Sequence, residues 1–403
     1  MSFVIRPIAP EEFDAFVETD SVAFGYTPDA EATERTRQYL EFDRTLAAFD
    51  RDEMVATTCI FSFDMTVPGG ALPAAGVSWV SVLPTHTRRG ILTALMRRQI
   101  NDVFERGEPI AALWASESLI YGRFGYGLAA QNARLTIDRR HTALMHDIPS
   151  SGKVRLVDRE EALERWPACH ERARHQQPGW HSRSIPWWQY RVLPDRAPER
   201  SRRRILAQYE EHGQVLGYAR YEWGMNWVPD QPVPLDVQEL VAETPAAYAA
   251  LWKLIFSTDL VTEVRASHRS PDEPLYHMLA DPRRLRRSFT DSLWLRIVDV
   301  PRTLEGRQYS AEGCVTLAVH DDFYEWAGYK YTLTSGPDGA ACQRTMGPAD
   351  VSLHARDLAA VYLGGTRLAT LAAAGRVEGD PRAIALADRM FAWHPQPFSP
   401  EVF

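Results

Sequence analysis

The stretch VSWVSVLPTHTRRGILTA, from Val77 to Ala94, decides the reading of this chain. An apolar, β-branched run ending near Val82 breaks at Pro84-Thr-His-Thr87 and resumes as a helical pattern headed by Arg88-Arg89-Gly90. The first turn of a helix leaves amides without intrahelical partners and carries the positive end of the helix dipole. A strand, loop and helix in this order therefore bind phosphate once the backbone can come close. Gly90 allows that approach, and Arg88 and Arg89 add fork-shaped donors that match phosphate oxygens. The strand before the loop offers one free edge to an extended ligand, so the implied ligand is a pyrophosphate on a long flexible tail. The expected contacts are Arg88, Arg89, Gly90, Ile91 and Leu92 at the phosphates, with Val80 and Val82 along the strand. A solvated surface loop would carry the same three residues, so a second motif is needed to decide.

That motif is Trp114-Ala-Ser-Glu-Ser-Leu-Ile-Tyr121-Gly-Arg-Phe-Gly-Tyr126-Gly127, which follows an apolar run, Ile110 to Ala115, with the pattern of a buried strand. The order of strand, phosphate loop, helix, strand and Tyr-containing turn resembles the GNAT superfamily of acyl-CoA N-acyltransferases. SVLPTHTRRGIL together with SESLIYGRFGYG is similar to the Eis (enhanced intracellular survival) family of bacterial acetyltransferases, over the whole chain. The resemblance implies acetyl-CoA as co-substrate, aminoglycosides or similar polyamines as acceptors, and a homohexamer of trimer-of-dimers type. The superfamily pattern Gln/Arg-x-x-Gly-x-Gly/Ala is met with two departures, Thr87 at its first position and Leu92 at its last. One side-chain donor is therefore missing, while the backbone donors from Arg89 to Leu92 are kept.

Composition narrows the alternatives. The 403 residues exceed one ordinary core and suggest two or three domains, and 45% hydrophobic with 24% charged residues is an ordinary globular make-up. A net charge of −8 speaks against a nucleic-acid partner, which needs concentrated positive charge. Only three lysines, Lys153, Lys253 and Lys330, stand against forty-two arginines, a bias that a GC-rich genome explains. Cys59, Cys169, Cys314 and Cys342 are far apart and without paired His ligands, so neither a metal nor a disulfide frame is expected. The N-terminus has no signal-peptide pattern and no run approaches the ~20 apolar residues of a membrane span, so a cytoplasmic protein without a membrane partner is expected.

The expected fold class is α/β and α+β: tandem GNAT folds, the second degenerate, then a sterol-carrier-protein-like α+β domain. Residues 1–148 form the acetyl-CoA-binding unit, with strands at 3–7, 45–49, 54–66, 71–83 and 110–115, helices at 11–22, 29–42 and 88–105, and a final strand at 133–138. After a Pro149-Ser-Ser-Gly152 linker, residues 153–292 read as a worn copy. A hairpin turns at Glu211-His-Gly213, a strand spans 235–242, a helix opens at Thr244-Pro245, and Val264-Arg-Ala-Ser267 echoes Leu113-Trp-Ala-Ser116. The copy has Glu243-Thr-Pro where the first unit has its arginine loop, so only the first is expected to bind cofactor. Residues 293–403 begin at LWLRIVDVPRTLEGR, pass through strands at 314–319 and 329–334, and end in helices at 351–362 and 367–373; they resemble the sterol-carrier-like domain of the same family.

Acyl transfer from a thioester to an amine needs a deprotonated amine, a polarised carbonyl and a proton for the leaving thiolate. Tyr121 is the candidate proton donor, since a tyrosine near its ordinary pKa of about 10 is protonated at neutral pH. The resemblance puts that role on Tyr121, the first tyrosine of IYGRFGYG. The backbone amide of Val82, on the strand before the loop, is the candidate to hold the carbonyl, with Val80 and Val82 pairing with the pantetheine amides as an added strand would. Ser116 either reaches the cofactor or caps a helix, and His86 reads as a turn residue in preference to a base. The chain ends Ser399-Pro-Glu-Val-Phe403 on a large apolar residue. A buried Phe403 would fix its own α-carboxylate inside the protein, either as a tail tucked into the core or, as the resemblance implies, as the general base. Asp20, Asp29, Glu31, Glu34 and Glu401 are the acids that could draw in a polyamine. Trp187-Trp188 and the run Arg200 to Arg204 read as packing and a solvated loop. The rival from another class is a non-catalytic acyl-CoA or lipid sensor, which the retention of both motifs disfavours.

Overall fold

Among the described residues, alternating hydrophobic runs and turn residues resolve into two seven-stranded sheets and a five-stranded one. The computed structural model describes residues 3–195, 202–225, 231–324 and 328–403. In chain order the first half contains β1 (Val4–Pro7), α1 (Phe13–Phe24), α2 (Ala30–Arg37), β2 (Thr45–Asp50), β3 (Glu53–Val67), β4 (Gly70–Val82), α3 (Ile91–Glu105), β5 (Ile110–Trp114), β6 (Gly127–Leu128) and β7 (Gln131–Asp138). The second half contains β8 (Lys153–Leu156), β9 (Arg203–Glu211), β10 (Gln214–Trp223), β11 (Pro234–Ala242), β12 (Glu263–Arg269), β13 (Arg286–Asp291) and β14 (Leu293–Ile297).

The sheets run β1-β2-β3-β4-β5-β14-β6 and β8-β9-β10-β11-β12-β7-β13. Position by position they share one topology. Three antiparallel pairings lead to the fourth strand. A parallel fifth strand follows, β4 with β5 and β11 with β12, each pair joined by a crossover helix: α3 in the first case, Pro245–Phe256 in the second. The repeat expected from sequence is therefore present as a fold.

Two strands lie elsewhere than expected. The run at 133–138, expected to finish the first unit, is β7, which pairs with β12 and β13 of the second sheet. The LWLRI run, expected to open the third region, is β14, which sits between β5 and β6 of the first. The cause is local. Ala129-Ala130 between β6 and β7 and Ser292 between β13 and β14 lack the Gly, Asn or Asp of a hairpin turn, so each chain runs straight on into the other sheet. The crossings are stitched side by side: Ala129 and Ala130 amides donate to Leu293 O (2.9 and 3.1 Å), and Ser292 N donates to Ala130 O (3.1 Å). The two units are thus sewn together, which brings the loops of the second to the open edge of the first.

The third region packs Gly339–Arg344, Lys330–Gly336, Gly313–His320, Val351–His354 and Val377–Gly379, in that spatial order, into its own sheet. The helix expected over 351–362 is half strand: Val351–His354 alternates buried and half-buried residues and pairs in parallel with Gly313–His320, and His354 then caps the helix Ala355–Tyr362. The largest apolar cluster draws on all three regions, with Phe13 and Phe61, Trp166 and Trp187, and Leu317 and Phe403 among its members.

Candidate active site

β4 and β5 pair only from Ala74–Val77 against Ile110–Leu113, and then part. β4 carries a bulge where they diverge: Thr57 and Cys59 of β3 oppose Ser81 and Ser78, leaving Trp79 and Val80 across from one residue. Trp79 stands at φ +53, a left-handed conformation that a bulky side chain rarely adopts. The Thr57 hydroxyl secures it by donating to Trp79 O (2.8 Å). The gap between the strands opens as a cleft of about 400 Å³, walled by Val77 to Val80, Leu113 to Ser116, Tyr121, Asp20 and Phe24 of α1, and Val402 and Phe403. The bulge turns the free edge of β4 toward this space.

At the far end of β4, α3 starts at Ile91 with Gly90 (φ +81) as its N-cap and no side chain capping its amides. A Cβ built on Gly90 would meet nothing within 4 Å, and Arg88, also at positive φ, and Arg89 are exposed. The first turn of α3 thus opens beside Gly90 without a side-chain cap and directly follows two exposed arginines, which fits a pyrophosphate. Ile91 is buried and Leu92 half-buried, so both offer backbone only. The corresponding turn in the second unit is closed. Thr244 caps its helix by accepting from Ala247 N (3.1 Å), and the Glu243 carboxylate beside it is held by Arg172 at 2.7 Å. The splay of β11 and β12 is also occupied: buried Arg269 donates to Leu240 O (2.7 Å) and pairs with buried Glu273 (3.0 Å).

Tyr121 ends the short helical turn Ser118–Tyr121 and is 4% exposed. Burial pushes its phenol up to about 12, with a hydrogen bond to Ser116 pulling the other way, so it is protonated at any physiological pH. Ser116 sits on the opposite lip of the cleft from β4. Two of the glycines after Tyr121, Gly125 and Gly127, are steric requirements. Gly125 is at φ +80, and a Cβ there would lie 1.4 Å from the Arg296 guanidinium, which is buried against Asp321 (2.5 Å). The turn is thus braced by β14 and by the third region, where Phe323 packs on Phe124 (5.1 Å between centroids).

The C-terminal tail is anchored by the first and second regions. Asn132 of β7 exchanges two hydrogen bonds with the Ser399 backbone (2.8 and 3.3 Å). Glu401 is gripped by Arg183 Nε (2.6 Å) and Trp187 Nε1 (3.3 Å); burial raises its carboxyl, but Arg183, His181 and Arg191 overcome this and hold it at about 2. Arg191 donates to Val402 O (2.5 Å). The Phe403 ring, 5% exposed, packs edge-on against Phe63 (5.2 Å) and His181 (5.5 Å), while Ser78 Oγ donates to its carboxylate at 2.8 Å. The terminal carboxylate thereby lines the same cleft as Tyr121. Ser78, Arg183, Arg191 and Asn132 had no signal in the sequence, because their partners lie hundreds of residues away.

Of the residues read from sequence, Val80, Ser116, Tyr121 and Phe403 meet at the cleft, and Arg88 to Leu92 lie beyond the end of β4, at the start of α3. Val82 lies between the two, in register with Ala56 and packed near Ile91 and Leu95. His86 is buried and tied to Thr85 (2.8 Å), in keeping with a turn residue. The acids divide sharply. Asp29 caps α2, Glu31 pairs with Arg35 and Glu34 with Arg37, and Glu401 is neutralised as described, so none of these four lines the cleft in the way expected of acids that draw in a polyamine. Asp20 alone lines the cleft. Of the arginine run, Arg200 lies outside the described residues, while Arg202 pairs with Asp236 and Arg204 donates to Pro194 O.

A bulged, splayed pair of parallel strands leading to an uncapped, arginine-flanked helix start defines an acetyltransferase of the GNAT class, and models of the acetyltransferase (GNAT) domain match residues 4–129 and 179–297, with a sterol carrier protein domain matching 300–400. The chain is 36% identical over 351 residues to the N-acetyltransferase Eis of Mycobacterium tuberculosis, covering 84% of this chain and 83% of that one. It is 38% identical over 410 residues, the full length of both, to an uncharacterized N-acetyltransferase of Streptomyces avermitilis. The crystal structure of Eis1 from Mycobacterium abscessus superposes with a TM-score of 0.88 at 33% identity, covering 99% of this chain and all of that one. The protein belongs to the Eis family of N-acetyltransferases.

Proposed function

We propose that the protein transfers the acetyl group of acetyl-CoA directly to a primary amine in the β4/β5 cleft, with Tyr121 as general acid and the Phe403 α-carboxylate as general base. The observation that carries this reading is the convergence of a neutral phenol and a fixed carboxylate on one cleft beside an open strand edge. Arg88, Arg89 and the amides from Gly90 to Leu92 hold the pyrophosphate, and the free edge of β4 at Val80 and Val82 holds the pantetheine arm as an added strand, with Ser116 facing it. The Phe403 carboxylate takes a proton from the attacking ammonium, directly or through one water; the nitrogen forms its bond to the acetyl carbon as the carbon–sulfur bond breaks, and Tyr121 gives its proton to the departing sulfur. A backbone amide of the bulged segment polarises the carbonyl.

Family membership supports aminoglycosides or similar polyamines as the acceptors to test first, together with a homohexamer and a cytoplasmic location. The test of the acid–base assignment is to add one glycine after Phe403, which keeps the ring in place and moves the charge by about 3.5 Å of chain. Loss of acetylation with an unchanged melting temperature and unchanged acetyl-CoA affinity is expected; near wild-type turnover overturns the carboxylate as base.

A further inference from the structure

Asn132 and His268 join the second sheet to the tail that ends in the first unit's cleft. Asn132, on β7, is buried, and Ser399 dictates which way its side-chain amide points. The Ser399 N–H donates to Asn132 Oδ1 (3.3 Å) and the Ser399 carbonyl accepts from Asn132 Nδ2 (2.8 Å); backbone groups cannot exchange these two roles. The second hydrogen on Asn132 Nδ2 is left for His268 Nδ1, 3.1 Å away. His268 Nδ1 must therefore be the acceptor, which makes the imidazole neutral with its proton on Nε2. His268 stands at φ +54 where β12 slips register between Ala266 and Arg269, a left-handed conformation uncommon for a residue other than glycine. Its ring also packs edge-on against Trp114 (5.4 Å between centroids), which walls the cleft on the β5 side. Further along the tail, the Ser399 hydroxyl donates to Glu401 O (2.9 Å), close in sequence to the Phe403 carboxylate.

We propose that Asn132 and His268 are positioning residues for the reaction: a neutral His268 orients the Asn132 amide, the amide holds Ser399, and the tail so held keeps the Phe403 carboxylate in the cleft. The inference rests on the acetyltransferase reading above, with that carboxylate as base, and adds a condition under which the base is in place. A proton on His268 Nδ1 would set one N–H against another. Turning the amide over to offer Oδ1 to the imidazolium would break both bonds to Ser399, so docking of the tail and protonation of His268 oppose each other. The charged groups that act on the ring are Arg134 of β7 and Glu401 of the tail. Burial and Arg134 hold the imidazole below its ordinary value of 6.5, and Glu401 pulls the other way. Well above 6.5 the imidazole is neutral whether the tail is docked or free. As the pH falls below that value the free state takes up its proton first, so docking weakens. The strand exchange thereby has a catalytic consequence, because β7, on leaving the first unit for the second sheet, carries the side chain that clasps the tail.

The first measurement needs no variant: hydrogen exchange of the C-terminal peptide of the wild-type protein by mass spectrometry, corrected for the intrinsic pH dependence of exchange. Protection is expected to fall as the pH is lowered from about 8 to about 5, and constant protection overturns the inference. The second is kcat at saturating acetyl-CoA for whichever of neamine and spermidine is turned over faster, compared between wild type and His268→Asn so that ionisation of the amine cancels. Asparagine keeps an acceptor near the position of Nδ1, suits a left-handed φ and does not titrate. Its kcat is expected to lie within about twofold of wild type at about pH 8 and to exceed wild type by roughly fivefold or more at about pH 5. Asn132→Leu keeps the volume and removes the bonds to Ser399 and His268, so kcat at about pH 8 is expected to fall roughly tenfold or more with acetyl-CoA affinity unchanged. A ratio of wild type to His268→Asn that does not change with pH, or an Asn132→Leu variant as active as wild type, overturns the inference. If the protein extended by a glycine after Phe403 is inactive in the same assay, the base assignment survives that failure; if it is active, both fall.

Discussion

The two seven-stranded sheets have the same strand order and the same parallel fifth strand, yet they differ at the two places where a cofactor would sit. In the first, the crossover helix starts at an uncapped glycine and the strands part around open space. In the second, Thr244 caps the helix, Glu243 puts a negative charge beside it, and Arg269 lies across the gap between strands. The backbone that creates a site and the side chains that use it are therefore separable, and a duplicated fold can keep the first after losing the second. The second unit has a different task here, because its segment from Gln177 to Arg191 grips the C-terminal tail that supplies the carboxylate of the first unit's cleft.

The comparison can be broken or sharpened by substitution. The largest effect is expected for Tyr121→Phe, which keeps the ring and removes the proton: kcat should fall roughly 10²–10⁴-fold in steady-state assays while acetyl-CoA affinity barely moves. Arg269→Ala should do the opposite in the second unit. It leaves the Leu240 carbonyl and Glu273 buried without their partner, so denaturant unfolding should show a loss of roughly 3–5 kcal/mol with kcat little changed in the folded enzyme.

Asp20→Asn is expected to stabilise. The folded protein holds the Asp20 proton up to about 6, against 3.8 for an ordinary aspartate, because burial disfavours the charge. Below 3.8 both states are protonated and the wild type carries no penalty. As the pH rises from 3.8 toward 6 the unfolded chain ionises first, so the penalty grows, and it is complete above 6. Urea melts at pH 7.5 should find the asparagine variant more stable by about 3 kcal/mol, with the difference vanishing near pH 4. A loss of stability would refute the buried, charged carboxylate. The smallest effect is expected for Gly90→Glu, which adds a side chain at positive φ and a negative charge at the phosphate loop. Calorimetry should show acetyl-CoA binding about tenfold weaker, or about 1.4 kcal/mol, with the fold intact.

Local signals were legible in the sequence, and distant ones were not. The arginine loop, the turn bearing Tyr121, the Thr244-Pro245 helix start and the tandem layout all follow from patterns a few residues long. The strand exchange does not, because β7 and β14 alternate in the way that either sheet accepts, and only the absence of a turn at Ala129-Ala130 and at Ser292 hints at a crossing. The bulge at Trp79 was hidden for another reason: its positive φ is imposed by Thr57 and the surrounding packing, with no glycine to announce it. Arg269 reads as one arginine among forty-two, and its role emerges only when its side chain is seen across the strand gap. Asp20 and Phe24, four apart on a helix, carried a periodic signal, but without the cleft nothing distinguished Asp20 from the paired acids of α2.

The account stands most directly on the difference between the two cofactor positions, and isothermal titration calorimetry of the purified full-length protein with acetyl-CoA measures it. One acetyl-CoA bound per chain is the predicted result, with the open gap of β4 and β5 filled and the Arg269-occupied gap of β11 and β12 empty. Two per chain would contradict it, because the capped helix start and the arginine across the strands would then not close the second site.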